Sequence, residues 1–339
     1  MNESAQGLLS IKDLRVDFHT YAGIVKAIDG IDLEIKAGET LGLVGETGCG
    51  KSVTARSITR LVPAPGKITS GAIWYRGENL LTKSEEQIRQ IRGKKISMVF
   101  QDPMTYLNPL YTIGEQIAEV IILHNDLNSH EKSRKKMAMA KAVEALRTVN
   151  MPDPERVVNQ YPHELSGGMR QRAIIAMALA CNPDLLIADE PTTALDVTIR
   201  AQILDLLMQL KGKLNMSILI ITHDMGTVAR TCDRVAVMYA GNIVELAKTR
   251  TLFKNPKHPY TQGLLKAVLR LHEEAKELAS IPGSVPDLIN PPSGCRFHPR
   301  CPATSSVCSE EKPQPIEVEP GHLVWCHIYA ERNSSRRPF

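Results

Sequence analysis

The stretch Gly45-Glu-Thr-Gly-Cys-Gly-Lys-Ser52 decides the fold, because it fits the pattern G-x-x-x-x-G-K-[ST]. It follows a short apolar run, Thr40-Leu-Gly-Leu-Val44, and opens a segment of helical pattern, Lys51 to Val62, which Pro63 and Pro65 should end. Glycines let backbone N–H groups turn towards an anion, and the N-terminus of the following helix favours a phosphate. A chance match in a turn is the alternative, but the predicted strand and helix on either side favour a phosphate-binding loop.

This loop predicts a nucleotide site that uses ATP and Mg²⁺. We expect Lys51 to reach the β- and γ-phosphates and the Ser52 hydroxyl to bind Mg²⁺. The other loop residues expected to contact the nucleotide are Gly45, Glu46, Thr47, Gly48, Cys49 and Gly50.

The bulk composition excludes several classes of protein. Of the 339 residues, 43% are hydrophobic and 23% are charged, as in ordinary soluble domains. A net charge of +4 does not indicate a nucleic-acid partner. No apolar run approaches the roughly 18 residues of a membrane span, and the N-terminus is unlike a signal peptide. We therefore expect a cytosolic chain that meets a membrane only through partners.

Hydrophobic periodicity predicts an α/β fold with two parts. Near the N-terminus, Ile31, Leu33 and Ile35 alternate with charged residues, which is typical of a half-buried strand. The continuous apolar runs 185–188 and 218–221 are typical of parallel strands covered on both faces. We predict a main domain over residues 1–255, with a helical insertion at about 102–184 that includes a helix from Glu131 to Val149. Residues 256–339, rich in proline and cysteine, form a predicted C-terminal appendage.

Two adjacent carboxylates end the first of these apolar runs. Asp189 at the strand end can hold Mg²⁺, and Glu190 is then placed to accept a proton from an attacking water. Alone, such a pair is usually a solvated loop. Downstream of a phosphate loop, the bound metal requires a carboxylate, and this favours the functional interpretation.

The segment Leu165-Ser-Gly-Gly-Met169 reads in isolation as the start of a Ser-capped helix, which could also approach a phosphate closely. Together with the loop and the acidic pair, it resembles the LSGG signature of the ABC ATPases, although Met169 stands where glutamine is commonest in that family. The resemblance implies the ABC cassette form of the P-loop NTPase fold: a mainly parallel sheet, an N-terminal antiparallel β portion and a helical insertion.

The same resemblance implies roles for further residues. Gln101 matches the glutamine that links the metal site to the membrane subunits, Asp196 matches the dimer-contact loop Ala194-Leu-Asp196, and His223 matches the switch histidine near the γ-phosphate. Tyr21 matches the aromatic that stacks on adenine, although a lone aromatic is more often a packing residue. Ser166, Gly167 and Gly168 would complete the nucleotide pocket of a facing subunit, so that ATP holds two subunits together and hydrolysis releases them.

Within this family, four stretches are similar to ATPases of peptide importers of the oligopeptide, dipeptide and nickel branch: 101–109, 165–172, 258–262 and 291–302. This implies a second, related ATPase, two transmembrane permease subunits and an extracytoplasmic solute-binding protein. The chain would lie peripherally on the cytoplasmic face of the inner membrane, with no nucleic-acid partner. Nothing in the sequence identifies the cargo.

Two rival classes remain. A soluble ABC ATPase acting on DNA or ribosomes would usually carry long coiled coils or two cassettes in one chain. A regulatory protein that only senses a metal or a cluster would not need the hydrolytic groups Glu190 and His223.

Four of the seven cysteines, Cys295, Cys301, Cys308 and Cys326, lie at spacings x5, x6 and x17 in the appendage. In the cytosol a metal site is more economical than two disulfides. We predict a [4Fe–4S] cluster, because zinc prefers close C-x₂₋₄-C pairs whereas a cluster tolerates wider spacing. Tails of this type in the peptide-importer branch imply the same. Zinc and free thiols are the lesser alternatives, and Cys49, Cys181 and Cys232 are interpreted as packing or loop residues.

Overall fold

The computed structural model describes residues 7–100, 103–124, 131–192, 196–269 and 281–330. Its strands, in chain order, are β1 (Leu9–Thr20), β2 (Gly23–Ile35), β3 (Thr40–Val44), β4 (Gly66–Tyr75), β5 (Glu78–Asn79), β6 (Ile96–Val99), β7 (Leu185–Asp189), β8 (Ser217–Thr222), β9 (Arg234–Tyr239), β10 (Asn242–Lys248), β11 (Pro315–Glu319) and β12 (His322–Trp325). Its α-helices are α1 (Lys51–Ile58), α2 (Glu85–Ile91), α3 (Pro103–Tyr106), α4 (Ile113–His124), α5 (Glu131–Thr148), α6 (Pro154–Val157), α7 (Gly167–Leu179), α8 (Val197–Leu214), α9 (Met225–Thr231), α10 (Thr249–Lys254), α11 (Pro259–Leu269) and α12 (Ser306–Glu310).

The chain divides into two compact units. The first contains Met1–Lys36, Thr40–Leu81 and Ile221–Phe339, and the second contains Ala37–Glu39 and Thr82–Ile220. Within the described ranges, no helix combines the length and hydrophobicity needed to cross a lipid bilayer.

The first unit begins with an antiparallel sheet in the order β2–β1–β4–β5. The predicted alternation is confirmed in β2, since Ile31, Leu33 and Ile35 are buried and Asp32 is exposed. Strands β1 and β2 form a hairpin that closes on the pair Thr20 and Gly23.

A second run of strands in this unit carries the phosphate-loop segment. Strands β11, β12, β10, β9 and β3 follow one another in this order. The pair β3 and β9 is parallel, whereas β10 pairs antiparallel with β9 and with β12. The C-terminal hairpin of β11 and β12 therefore lies in the same run of strands as β3, which leads to the phosphate loop.

The second unit contains the parallel pair β6 and β7 together with the helices of the predicted insertion. Every residue of β7 is buried, as expected for a strand covered on both faces, and β8 is buried throughout as well. The predicted helix at 131–149 is confirmed as α5.

One predicted element is shorter than expected. Helix α1 ends at Ile58 and not at Val62. The Leu61 N–H donates to the Arg56 carbonyl at 2.8 Å and the Arg60 N–H donates to the Ser57 carbonyl at 3.1 Å, while Arg60 has a left-handed φ of 54°. This pair of hydrogen bonds is the Schellman motif, so the helix stops before it reaches the prolines.

Candidate functional site

The loop from Gly45 to Ser52 joins the buried strand β3 to helix α1, as the sequence predicts. A Cβ on Gly45 would lie 2.1 Å from the Met238 carbonyl oxygen, so only glycine fits where the loop leaves the strand. Gly50 caps α1 with a φ of 107°, a conformation that L side chains rarely adopt. The loop tip, Thr47 and Gly48, is exposed and accessible to a ligand.

Lys51 is buried and folds back across the loop. Its Nζ donates to the carbonyl oxygens of Gly45 at 2.8 Å and Glu46 at 3.0 Å, and it lies 3.7 Å from the Cys49 sulfur. Burial raises the pKa of the Cys49 thiol, and the Lys51 ammonium opposes this rise. The two carbonyl oxygens hold one positive charge within the loop, and this charge suits an anionic ligand.

Glu46 is held at its backbone and at its side chain. Its N–H donates to the Tyr260 hydroxyl at 2.9 Å, and its carboxylate accepts from Arg300 at 2.9 and 3.2 Å. Burial, the largest single influence, disfavours the charge of Arg300, but the hydrogen bonds and charges of Glu46 and Tyr239 together outweigh it and raise the pKa of Arg300. Both Tyr260 and Arg300 lie in the predicted appendage.

An aromatic cluster, made of Tyr239, His258, Tyr260 and Phe297, lies behind these contacts. Phe297 is 2% exposed, and its ring centroid lies 5.1 Å from Tyr239, 5.4 Å from Tyr260 and 5.7 Å from His258. Burial raises the pKa of both Tyr239 and Tyr260, which keeps the hydroxyls protonated.

A fully buried carboxylate, Glu245 on β10, adjoins this cluster. It accepts from the backbone N–H groups of Lys257 at 2.8 Å and His258 at 2.9 Å, and lies 2.7 Å from His322 Nε2. Burial lowers the pKa of His258 to about 4, although Glu245 opposes this shift. His258 is therefore neutral, and its Nδ1 accepts the Tyr260 N–H at 3.1 Å.

The predicted acidic pair lies in the second unit. Asp189 is buried at the end of β7, and Glu190 follows it with a φ of 48°. A left-handed conformation at a non-glycine residue is uncommon and concentrates at functional sites.

The signature segment begins helix α7. Ser166 caps this helix by accepting the Met169 N–H at 3.4 Å, so the capping interpretation holds locally, and Ser166 and Gly167 are exposed. Gly168 is half-buried. Asp196 is exposed and caps α8 in the same way, accepting the Ile199 N–H at 2.9 Å.

The remaining predicted residues are placed as follows. His223 follows β8 on an exposed position of the first unit, directly before Asp224, which caps α9. Tyr21 is fully exposed in the β1–β2 turn. Gln101, Ala194 and Leu195 lie outside the described residues.

Comparison with known proteins identifies the family of the chain. The family model described as "ABC transporter" matches residues 28–193, and that of the "Oligopeptide/dipeptide transporter, C-terminal region" matches residues 244–308. A probable peptide ABC transporter ATP-binding protein of Sinorhizobium fredii, y4tR, is 51% identical over 327 residues, covering 96% of each chain. The chain belongs to the ATP-binding proteins of the ABC transporters. It is accordingly an ATP-hydrolysing subunit of a transporter.

Further relatives agree with this membership. The dipeptide transport ATP-binding protein DppD of Bacillus subtilis is 48% identical over 326 residues and covers 96% of each chain. The dimeric structure of MJ0796, a bacterial ABC transporter cassette, is 30% identical with a TM-score of 0.62, over 71% of this chain and 99% of that one. The predicted ABC cassette fold is thereby confirmed.

In this ABC ATPase, none of the seven cysteines, all of which the structure describes, forms a disulfide. Cys308 and Cys326 are buried, while Cys295 and Cys301 are half-buried. The Cys295 N–H donates to the Cys308 carbonyl at 2.8 Å. In the part of the chain that the structure describes, no group of three or more His, Cys, Asp or Glu side chains is arranged to hold a metal ion.

Sequence reasoning did not assign Tyr260, Arg300 and Glu245 to the site. A signal was present for two of them, since Tyr260 and Arg300 lie in the stretches 258–262 and 291–302 that resemble peptide importers. The sequence contained no signal for Glu245, because a charged residue within an apolar strand is normally expected to face solvent.

Proposed function

We propose that this ATPase drives the import of peptides through separate membrane subunits. The observation that carries the proposal is the match of residues 244–308 to the C-terminal region of oligopeptide and dipeptide transporters. The names of the relatives that are about half identical over nearly the whole chain support it. The test is uptake of labelled dipeptides, longer peptides and Ni²⁺ by cells with and without the chain. Loss of peptide uptake is expected, whereas loss of Ni²⁺ uptake alone would contradict a peptide cargo.

The nucleotide site is proposed to work as the sequence predicts. Residues 45–52 bind the phosphates of ATP, with Lys51 as the central cation. Ser52 and Asp189, with Gln101, supply the oxygen ligands that Mg²⁺ prefers. Tyr21 stacks on adenine, and its complete exposure in the β1–β2 turn leaves its ring accessible.

Glu190 is the proposed general base, and His223 contacts the γ-phosphate. Ser166, Gly167, Gly168 and Asp196 face a second cassette, and the exposure of Ser166, Gly167 and Asp196 is compatible with this. Glu190→Gln should keep the affinity for ATP while turnover falls by about 10²-fold or more, as expected for loss of a positioned base. Lys51→Ala should instead lose binding. Wild-type hydrolysis by Glu190→Gln within the assembled transporter would reject this assignment.

The partners are proposed to be a second, related ATPase in a heterodimer, two permease subunits and, indirectly, a solute-binding protein. The chain then lies peripherally on the cytoplasmic face of the inner membrane, as a 1–255 ATPase domain followed by the appendage 256–339. Co-expression should raise ATPase activity above that of the isolated chain, and a loaded binding protein should raise it further. Peptide transport by a homodimer of this chain with the permeases alone would contradict the heterodimer.

The second unit offers a surface for the permease. A groove of about 560 Å³ is lined by Phe100, Tyr106, Leu123 and Met177 among others. The rings of Phe100 and Tyr106 stack at 4.1 Å, and Leu123 is 68% exposed. Apolar side chains exposed around a groove favour a protein partner. Phe100 also directly precedes Gln101, the residue expected to link the nucleotide site to the membrane.

Leu123→Asp tests this surface. The variant should keep the basal ATPase activity of the isolated chain and lose the stimulation by permeases and binding protein. Met137→Asp is the matched control, because Met137 is also exposed in the second unit but does not line the groove. An equal loss of stimulation in both variants would contradict the groove as the permease-binding surface.

The appendage is proposed to hold a [4Fe–4S] cluster on Cys295, Cys301, Cys308 and Cys326. Burial raises the pKa of the Cys326 thiol to about 12, and the thiols of Cys295, Cys301 and Cys308 raise it further. A single zinc ion would need its sulfurs within about 2.3 Å of one point, whereas a cluster binds four separate irons. The cluster would stabilise the appendage.

Anaerobic purification followed by absorption spectra and by iron, sulfide and zinc analysis tests the cluster. About four irons per chain are expected. A colourless protein with one zinc would reject the cluster, and a protein without either metal would reject the site.

A further inference from the structure

Glu46 places a carboxylate inside a loop whose proposed ligand is a triphosphate. Repulsion between this carboxylate and the phosphates lowers the affinity for the ligand unless the carboxylate is neutralised. It lies against Arg300, whose Nη1 donates to Oε2 at 2.9 Å and whose Nη2 donates to Oε1 at 3.2 Å. Parallel hydrogen bonds of this kind are strong and fix the orientation of both groups. The Arg300 side chain is 7% exposed and that of Glu46 26%, so the pair is largely shielded from solvent.

The guanidinium of Arg300 is itself fixed by its other hydrogen bonds. Nε donates to the Pro282 carbonyl at 2.8 Å, Nη2 to the Ile281 carbonyl at 3.1 Å and Nη1 to the Tyr239 hydroxyl at 3.4 Å. Its central carbon lies 5.7 Å from the centroid of the Tyr239 ring. Lysine could carry the charge but could not make this set of contacts.

We propose that Arg300 is a positioning residue of the nucleotide site. It neutralises Glu46 and fixes the first turn of the phosphate loop, so that the loop presents a net positive field to ATP. The inference rests on the proposed role of residues 45–52 in ATP binding. Because Arg300 directly precedes Cys301, it also joins the cysteine segment to the phosphate loop.

Titration of the purified full chain with a fluorescent ATP analogue and Mg²⁺ tests the proposal. Arg300→Met should weaken binding about tenfold or more, because it leaves the Glu46 charge uncompensated. The double variant Glu46→Gln/Arg300→Met should bind ATP more tightly than Arg300→Met and as tightly as Glu46→Gln alone, since the repulsive charge is gone from both. A merely structural role of Arg300 would not give this rescue. Lys312→Met is the control, because Lys312 pairs with Asp29 and not with the loop.

Wild-type affinity in Arg300→Met, or a double variant as weak as Arg300→Met, would overturn the proposal. Lys51→Ala in the same assay distinguishes failure of the proposed nucleotide site from failure of the proposed role of Arg300. If Lys51→Ala binds normally, the proposed nucleotide site itself fails. If Lys51→Ala loses binding while Arg300→Met does not, only the role of Arg300 fails. Absence of iron in these samples contradicts the cluster and leaves the result for Arg300 unaffected.

Discussion

Replacement of Phe297 should strongly weaken the packing of the appendage. Phe297 lies two residues after Cys295 and packs against Tyr239, His258 and Tyr260 with almost no exposure. Phe297→Ala removes the ring and leaves a cavity in a cluster whose other members are held by hydrogen bonds. Substitutions of this kind cost about 3–5 kcal/mol. Since domains are stable by only about 5–15 kcal/mol, this is a large share.

Tryptophan fluorescence can report the effect locally. The chain has two tryptophans, Trp74 in β4 and Trp325 in β12. In a Trp74→Phe background, Trp325 alone reports the C-terminal hairpin during urea unfolding. The free energy of its transition should fall by about 3–5 kcal/mol in Phe297→Ala and by about 1–2 kcal/mol in Phe297→Leu, which keeps most of the apolar volume.

Tyr21→Ala is the control for this measurement, because Tyr21 is a fully exposed aromatic of the same unit. Its effect should stay within about 0.5 kcal/mol. A decrease of less than about 1 kcal/mol in the unfolding free energy of Phe297→Ala would refute this role of the ring. In that case the aromatic cluster does not hold the C-terminal region in place.

Three further outcomes are expected. Tyr260→Phe removes the acceptor of the Glu46 N–H and should lower the unfolding free energy by about 1–3 kcal/mol, measured by urea denaturation. The folded pKa of His258, about 4, lies below its ordinary 6.5, so the unfolded chain binds the extra proton between these values. The free energy of unfolding should therefore fall by up to about 1.4 kcal/mol per pH unit as the pH drops from 6.5 towards 4, and His258→Gln should flatten this slope in melts across that range. Gly50→Ala should weaken ATP binding, because a Cβ there would lie 2.9 Å from the Ala27 carbonyl oxygen at a φ of 107°; a titration matching wild type would contradict this.

The parts of the fold that could be predicted are those whose signal lies within a short stretch of sequence. Strand β3, the buried strand β7 and helix α5 follow from patterns contained in a few neighbouring residues. The end of α1 could not be predicted in the same way. A left-handed residue usually ends such a helix, but here it is Arg60 and not glycine. The prolines further along gave the wrong boundary.

The candidate site likewise contains residues that the sequence predicts and contacts that it does not predict. The motif residues of the phosphate loop are contiguous, so the sequence names them directly. The contact of Glu46 with Arg300 joins residues 254 positions apart, and no local pattern contains it. The same holds for the pair of Glu245 and His322, which are 77 positions apart. Long-range polar pairs depend on the topology, and a single sequence does not reveal them.

Two partners of Glu46, an acidic residue of the phosphate loop, lie far along the chain. A carboxylate in an anion-binding loop contradicts the chemistry of that loop, and native structures usually compensate such conflicts elsewhere. Glu46 engages its N–H, its carbonyl and its carboxylate, with Tyr260, Lys51 and Arg300 respectively. Two of these partners lie beyond residue 255. The C-terminal region therefore contributes to the conformation of the phosphate loop, and its integrity and the affinity for ATP should change together.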